Sequence, residues 1–348
     1  MPAVSAPSKV LVSGANGYIA VWVVRTLLDR GFSVRGTVRS ESKIPHLKKV
    51  FKDEFEKGLL EVVVVPDITV SGAFDEAVKG VDAIEHTASP FHFKADDPSE
   101  LIDPAVKGTT GILESATKFG GPQLKRIAIT SSCAAVSDPD STGLLDESSF
   151  NEGNIIEIRE KGRDATQVGK YRASKSLAEK AAWKYYQDHK SSISWDLVVL
   201  NPPFVFGPIL HEITSASQLN TSLAGLYDAI FLKTRTPEQL ASFQGEWVDV
   251  RDVALGHVRA IEVEEAGGSR FILSGGAFIY QDFYDIVNEL KIPGVDAPKG
   301  TPGRGKDFAY TIRYDASKAK NVLGVEFRDK TTTTKDTIED FKARGWLN

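Results

Sequence analysis

The chain predicts an α/β protein, a doubly wound parallel sheet followed by a smaller and less regular C-terminal α/β lobe. Three observations carry this. Short β-branched runs alternate with helical patterns as far as Pro202-Pro203, and such alternation favours parallel strands joined by right-handed crossovers. One run, Val62-Val63-Val64-Val65, is continuously apolar, as in a strand covered on both faces. Beyond Pro203 the texture changes, and residues 208–245 and 291–313 are richer in Gly, Pro, Ser and Thr.

The elements follow in order. Val10–Ser13, Ser33–Val38, Glu61–Val65, Ala83–His86, Arg126–Thr130 and Leu197–Leu200 read as strands. Helical patterns fall at 18–30, 43–57, 71–79, 99–119 and 171–189. Between the first strand and the first helix lies Ser13-Gly14-Ala15-Asn16-Gly17-Tyr18-Ile19-Ala20. Gly14 and Gly17 permit a tight turn and a close approach of backbone to a pyrophosphate, which then sits on the helix N-terminus. Ala20 stands where a third glycine often sits and still allows close helix–strand packing. Any tight turn uses glycine, but this one follows the first strand of a doubly wound sheet, the context a dinucleotide requires. Residues 1–205 are therefore expected to form mainly a Rossmann-type nucleotide-binding domain, with Asn16, Tyr18 and Ile19 grouped with the turn. Residues 206–348 then form mainly a substrate-binding lobe interleaved with the sheet.

The second strand ends at Thr37-Val38-Arg39-Ser40. An acidic residue here would bond the adenosine ribose. Arg39 suits a 2′-phosphate instead, Lys43 adds charge from the next turn, and NADP(H) is the expected cofactor. Two other readings stand beside this one: a solvated basic patch, and Glu41 aimed at the ribose by a small shift of the strand end. Asp67 and Ile68 follow the third strand, where a carboxylate suits the adenine amino group. His86-Thr87-Ala88-Ser89-Pro90 follows the fourth and is placed to line the dinucleotide. Asp, Ser and Pro form strand-ending turns equally well, and His86 reads as a packed histidine rather than an acid or base.

Composition excludes several function classes. A chain of 348 residues buries a large core, and 41% hydrophobic with 26% charged residues fits a soluble globular protein. A net charge of −5 argues against nucleic-acid partners or an anionic membrane surface. A single cysteine, Cys133, excludes an internal disulfide and fits a reducing compartment. The stretch from Met1 to Ser8 lacks the apolar run of a signal peptide, so a cytoplasmic protein is expected, as monomer or homodimer. The histidines lack HExxH or Cys/His spacing, and no metal is expected.

The chemistry concentrates in Tyr171-Arg172-Ala173-Ser174-Lys175. A tyrosine and a lysine four apart share a helix face, about 6 Å apart at Cβ. A phenol titrating near ~10 is a poor proton shuttle at neutral pH, and a nearby ammonium lowers that value. Tyr186/Lys190 and Tyr314/Lys318 repeat the spacing, so context decides. The fifth strand runs into Thr130-Ser131-Ser132-Cys133, and sites in open parallel sheets form beyond the carboxyl ends of strands. Tyr171 begins a helix that returns to those strand ends. Tyr186 lies about 22 Å further along it, and Tyr314 sits in the C-terminal lobe before what reads as a capped helix start. Tyr171 is the tyrosine expected to work with Ser132.

With Ser132, Tyr171, Lys175 and the glycine turn in this order, the chain resembles the extended short-chain dehydrogenase/reductases. Within them it resembles the fungal NADPH-dependent methylglyoxal, aldehyde and carbonyl reductases, related to plant dihydroflavonol reductases. Further shared stretches are Val65-Pro-Asp67, His86-Thr-Ala-Ser-Pro-Phe91, Glu179-Lys-Ala-Ala-Trp183, Asn201-Pro-Pro-Phe-Val-Phe-Gly-Pro208 and Val248-Asp-Val-Arg-Asp252. The resemblance implies reduction of a small-molecule aldehyde, ketone or dicarbonyl with NADPH, Tyr171 protonating the alkoxide and Ser132 donating to the same oxygen. It implies that Lys175 bonds the nicotinamide ribose and lowers the tyrosine pKa, and that Pro202 contacts the cofactor. It also implies a pocket lined by Phe91, Cys133, Val168 and Phe204, with Phe93 nearby and the 208–245 segment as wall or lid. Three positions depart from the pattern: Ser13 for the usual threonine, Ala105 where many members carry an active-site asparagine, and the small Cys133. The rival readings are an NAD-retaining sugar-nucleotide epimerase or dehydratase, and a non-catalytic NADP(H)-sensing protein. Arg39 and the apolar Phe91-His92-Phe93 stretch argue against the first. Intact catalytic side chains argue against the second.

Overall fold

The computed structural model describes residues 4–89, 95–232 and 235–347. Twelve strands occur among them: β1 Lys9–Ser13, β2 Ser33–Val38, β3 Leu60–Val64, β4 Ala83–His86, β5 Arg126–Thr130, β6 Gly143–Leu145, β7 Asp196–Asn201, β8 Phe204–Phe206, β9 Gln244–Asp249, β10 Arg270–Ile272, β11 Gly276–Ile279 and β12 Ile312–Tyr314. Seven form one parallel sheet in the order β10-β7-β5-β4-β1-β2-β3. The winding direction reverses between β1 and β4, so a crevice opens there beyond the carboxyl ends of the strands.

Each face of the sheet is covered by a helix pair. Tyr18–Asp29 and Val250–Glu262 cover one face, burying Val21, Val24, Val253 and Ile261 against Val10 and Val12 of β1. Ser99–Phe119 and Gln167–His189 cover the other, burying Ile112, Leu113 and Ala182 against Leu11, Ile84 and Ile127. Alternate residues of β1 therefore feed opposite cores, as the strand period requires. Beside the large sheet lie the three-stranded sheet β11-β9-β8, around Phe206, Trp247, Phe278 and Phe283, and the pair β12-β6, whose Leu145 and Tyr314 pack against Cys133, Val136 and Ile272. Strand β10, late in the chain, completes the large sheet beside β7.

Three expectations are corrected. The 71–79 segment is a string of turns rather than a helix: Gly72 takes φ +77°, the amides of Ala73, Asp75 and Lys79 bond three residues back, and that of Val78 bonds four back. Its apolar residues Phe74, Ala77 and Val78 are buried all the same. The 43–57 helix is broken at Phe51, which leaves helical backbone (φ −118°, ψ 41°) to bury its ring. The apolar Val62–Val65 run lies in and just past an edge strand, not one covered on both faces, and Val64 is 38% exposed.

Gly36 is required by this packing although no motif marks it. A Cβ there would stand 2.7 Å from that of Ala15 in the glycine turn. Gly36→Ala is expected to cost about 1–3 kcal/mol by overpacking, read as a lower urea midpoint with unchanged slope.

Candidate active site

The glycine turn sits at the reversal point of the sheet. Gly14 adopts φ +65°, and a Cβ there would meet Ala88 at 3.1 Å. The Gly17 amide donates to the Gly14 carbonyl (2.8 Å), closing the turn immediately before helix Tyr18–Asp29. That helix has no acidic residue in its first turn, so its N-terminus carries uncompensated positive potential. Ser13 is a node that the glycine pattern does not reveal. Its hydroxyl oxygen accepts from the amides of Thr87 and Ala88 (3.0 Å each) and lies 2.9 Å from His86 Nδ1. Burial, with the charge of Lys175 added, holds His86 down at about 3, so it is a neutral, packed histidine.

A cavity of about 690 Å³ opens beside the turn and is lined by Gly14, Asn16, Gly17, Arg39, Lys43, Asp67, Ile68, Thr87, Ala88 and Ser89. Arg39 is exposed at the end of β2. Lys43 donates to Glu212 at 3.0 Å, so part of its charge is already matched. Glu41 opens a short turn after β2 and does not line the cavity. Asp67 does both things the sequence allows. One oxygen accepts from the Thr69 hydroxyl and amide (2.7 and 2.9 Å), which lowers its pKa, while the residue lines the cavity.

A second cavity, about 1170 Å³, continues from Gly14, Gly17, Thr87 and Ser89 across Tyr18 and Ile19 to Ser132, Cys133, Val168, Tyr171, Lys175, Pro202 and Phe204. Phe91 and Phe93 lie outside the described residues. Val168 is 59% exposed, which puts it at the cavity's mouth.

Tyr171 and Ser132 meet as their placement predicts. The Ser132 hydroxyl oxygen accepts from the Ala134 amide (3.1 Å), is within 3.4 Å of the Pro202 carbonyl and is hydrogen-bonded to the Tyr171 phenol. Burial raises the phenol's pKa, with the Ser132 bond and Arg172 opposing. The protein's own groups therefore keep Tyr171 protonated. Burial draws Lys175 down from 10.5 to about 8, and its ammonium donates to Ser89 Oγ at 3.1 Å.

A folded pKa below the unfolded one means that the unfolded chain binds more protons between about 8 and 10.5, so this group adds stability as pH rises through that window. Lys175→Met is expected to abolish that increment and to raise Tm at pH 7 by roughly 2–4 °C. Paired thermal scans of both proteins across the window check this.

The helix bearing Tyr171 begins at Gln167 rather than at Tyr171, capped by Thr166, whose oxygen accepts from the Gly169 amide. Its start is clamped by Lys170, 1% exposed, whose ammonium donates to the carbonyls of Ala95, Asp96 and Arg163 (3.1, 2.7 and 2.8 Å). Two turns on, the buried carboxylate of Glu179 accepts from Ser131 Oγ (2.5 Å) and Asn201 Nδ2 (2.8 Å) and pairs with Arg270 at 2.5 Å. Asn201 also donates to the Ser132 carbonyl at 3.1 Å. One carboxylate thus ties the ends of β5, β7 and β10 to the Tyr171 helix, holding Ser132 against Tyr171. Tyr186 packs against Trp183 and Trp195, away from this site.

Tyr314 departs from expectation. It lines the same cavity, although its hydroxyl is 2.8 Å from Ser137 Oγ and 3.4 Å from the Cys133 carbonyl rather than bonded to Ser132. Arg172 donates to Ser137 Oγ (2.6 Å) and to the Ser137 carbonyl, completing a polar wall. Helix Ser99–Phe119 presents the buried Ala105 and supplies no amide side chain at that position.

Residues 10–273 match the profile of the NAD dependent epimerase/dehydratase family. The chain belongs to that family. Among its epimerase/dehydratase relatives, the ketoreductase azaE of Aspergillus niger is 36% identical, the alignment spanning 96% of this chain and 97% of the relative. The NADPH-dependent methylglyoxal reductase GRE2 of Saccharomyces cerevisiae is 35% identical over 94% of this chain and 96% of that one. The crystal structure of the yeast methylglyoxal/isovaleraldehyde reductase Gre2 complexed with NADPH superposes with a TM-score of 0.86 at 34% identity, covering 97% of this chain and 100% of that one. The two cavities thus occur in an epimerase/dehydratase scaffold that relatives use for reduction.

Proposed function

We propose that this chain is an NADPH-dependent carbonyl reductase acting on small-molecule aldehydes, ketones or dicarbonyls, with Tyr171 as proton donor. The observation that carries the reading is the Ser132–Tyr171 hydrogen bond inside a cavity continuous with the glycine turn. Full-length reductase relatives support it. Gly14, Gly17 and the following helix N-terminus fit a pyrophosphate, and Arg39 with Lys43 fits a 2′-phosphate. When bound, NADPH supplies the hydride.

The protein's part is positional and electrostatic. Ser132 Oγ–H and Tyr171 Oη–H converge on the carbonyl oxygen and orient it. Tyr171, kept protonated by burial, gives its proton to the developing alkoxide. Lys175 reaches from the same helix face toward Ser89 and the dinucleotide crevice, where its counterpart in the family bonds the nicotinamide ribose. Residues 1–205 chiefly hold the cofactor. Residues 206–348 chiefly wall the substrate, with Phe204 at the junction. The single cysteine and the acidic net charge favour a cytoplasmic enzyme without a nucleic-acid partner.

Oxidation of NADPH and NADH is to be followed against dicarbonyls, aliphatic and aryl aldehydes, ketones and β-keto esters. Turnover with a preference for NADPH is expected. Tightly bound NAD⁺ in the purified protein, with no net NADPH consumption, would instead place it with the NAD-retaining epimerases.

A further inference from the structure

The wall of the larger cavity carries a cation that proton transfer does not use. Arg235 lines it beside Phe243 and Tyr280. Its guanidinium carbon lies 4.1 Å from the centre of the Tyr280 ring and 6.0 Å from that of Phe243. Stacking on a ring holds the guanidinium without engaging its N–H donors, leaving the fork for a bidentate acceptor. Arg235 Nε is buried and has no hydrogen-bond partner. No carboxylate of the described residues forms an ion pair with Arg235. A guanidinium on a cavity wall with no ion-pair partner among the described residues is placed to receive an acceptor brought by a ligand.

The two carboxylates on the same wall do not match it. Glu246 is engaged with Ser274 and with Arg313 at 3.3 Å. Asp228 lines the cavity and, with Arg235, acts electrostatically on the Tyr280 hydroxyl, but it stands beyond ion-pair distance from the guanidinium. A path of contacts joins this cation to the catalytic serine. Ser132 Oγ meets Pro202 at 3.4 Å, Phe204 follows two residues on, the Phe204 and Phe243 ring centres are 5.9 Å apart, and Phe243 adjoins Arg235.

Resting on the carbonyl-reductase reading, we infer that the enzyme's substrates are oxo acids whose carboxylate binds Arg235 while the carbonyl meets Ser132 and Tyr171. The aromatic body of the pocket lies between the two ends. With Phe204 and Phe243 along that path, the preferred class is acids with a chain between carboxylate and carbonyl rather than 2-oxo acids.

The test compares kcat/KM for methyl-ketone acids of increasing chain length with their methyl esters, in the full-length enzyme with NADPH. At the matching length the acid should exceed its ester by about 10-fold or more, the worth of one charge-assisted hydrogen bond. Arg235→Met, which keeps an apolar chain over Tyr280, should bring the acid/ester ratio to about 1, mainly through KM of the acid. Arg235→Lys should keep part of the preference. Equal rates for acid and ester at every length, or an Arg235→Met loss shared equally by both, overturns the inference while leaving ester reduction in place. Absence of turnover with esters, aldehydes and acids alike overturns the reductase reading itself.

Discussion

Tyr171→Phe is expected to lower kcat by at least ~10²-fold, the usual effect of removing a general acid, while NADPH affinity measured by fluorescence titration stays near that of the wild type. The ring still fills its place beside Ser132, so packing is conserved and only the proton is lost. The acid test is the pH profile. Burial raises the phenol's pKa above its ordinary value, so wild-type reduction should be level through neutral pH and fall only on the alkaline side, as the phenol loses its proton. The residual rate of the phenylalanine variant should lack that alkaline fall. Turnover near wild type would remove Tyr171 from the mechanism, and a matched loss of NADPH binding would make it a cofactor-positioning residue instead.

Arg39→Ala should reduce kcat/KM for NADPH by roughly 10–100-fold, the loss of a charge-assisted hydrogen bond to phosphate, and leave kcat/KM for NADH unchanged. Arg39 is exposed at the cavity edge, so the effect should shrink as salt is added. Lys43→Ala should cost less, because Glu212 already shares that ammonium at 3.0 Å. Glu212→Gln should move the other way and improve NADPH use by freeing Lys43. An Arg39→Ala enzyme that loses NADPH and NADH activity in parallel would show that the residue supports the fold and not cofactor choice.

The extent to which the site could be read in advance differs by residue, for physical reasons. The glycine turn was legible because only glycine takes φ +65° at Gly14 without strain and lets Ala88 approach so closely. Tyr171 and Lys175 were legible as a pair because a helix brings positions four apart together. The 71–79 turns were misread because Phe74, Ala77 and Val78 sit at helical spacing, yet Gly72 at φ +77° and Gly80 at φ +70° bound the segment with left-handed backbone. Sequence placed Tyr314 away from the site because the chain between β5 and β12 is long. The β12-β6 pairing, Tyr314 opposite Leu145, carries it back to Ser137.

Sequence alone thus determined the sheet class, the dinucleotide turn and the Ser132/Tyr171/Lys175 order, because periodicity, turn conformation and helix pitch are local properties. Tertiary structure alone decided which charges meet. Glu179 finds Ser131, Asn201 and Arg270, Lys170 finds three carbonyls, Lys43 finds Glu212 and Arg235 finds Tyr280. Most of these partners lie tens of residues apart, and their pairing follows from how helices dock on the sheet and where burial strips water from a charge. No local pattern records that.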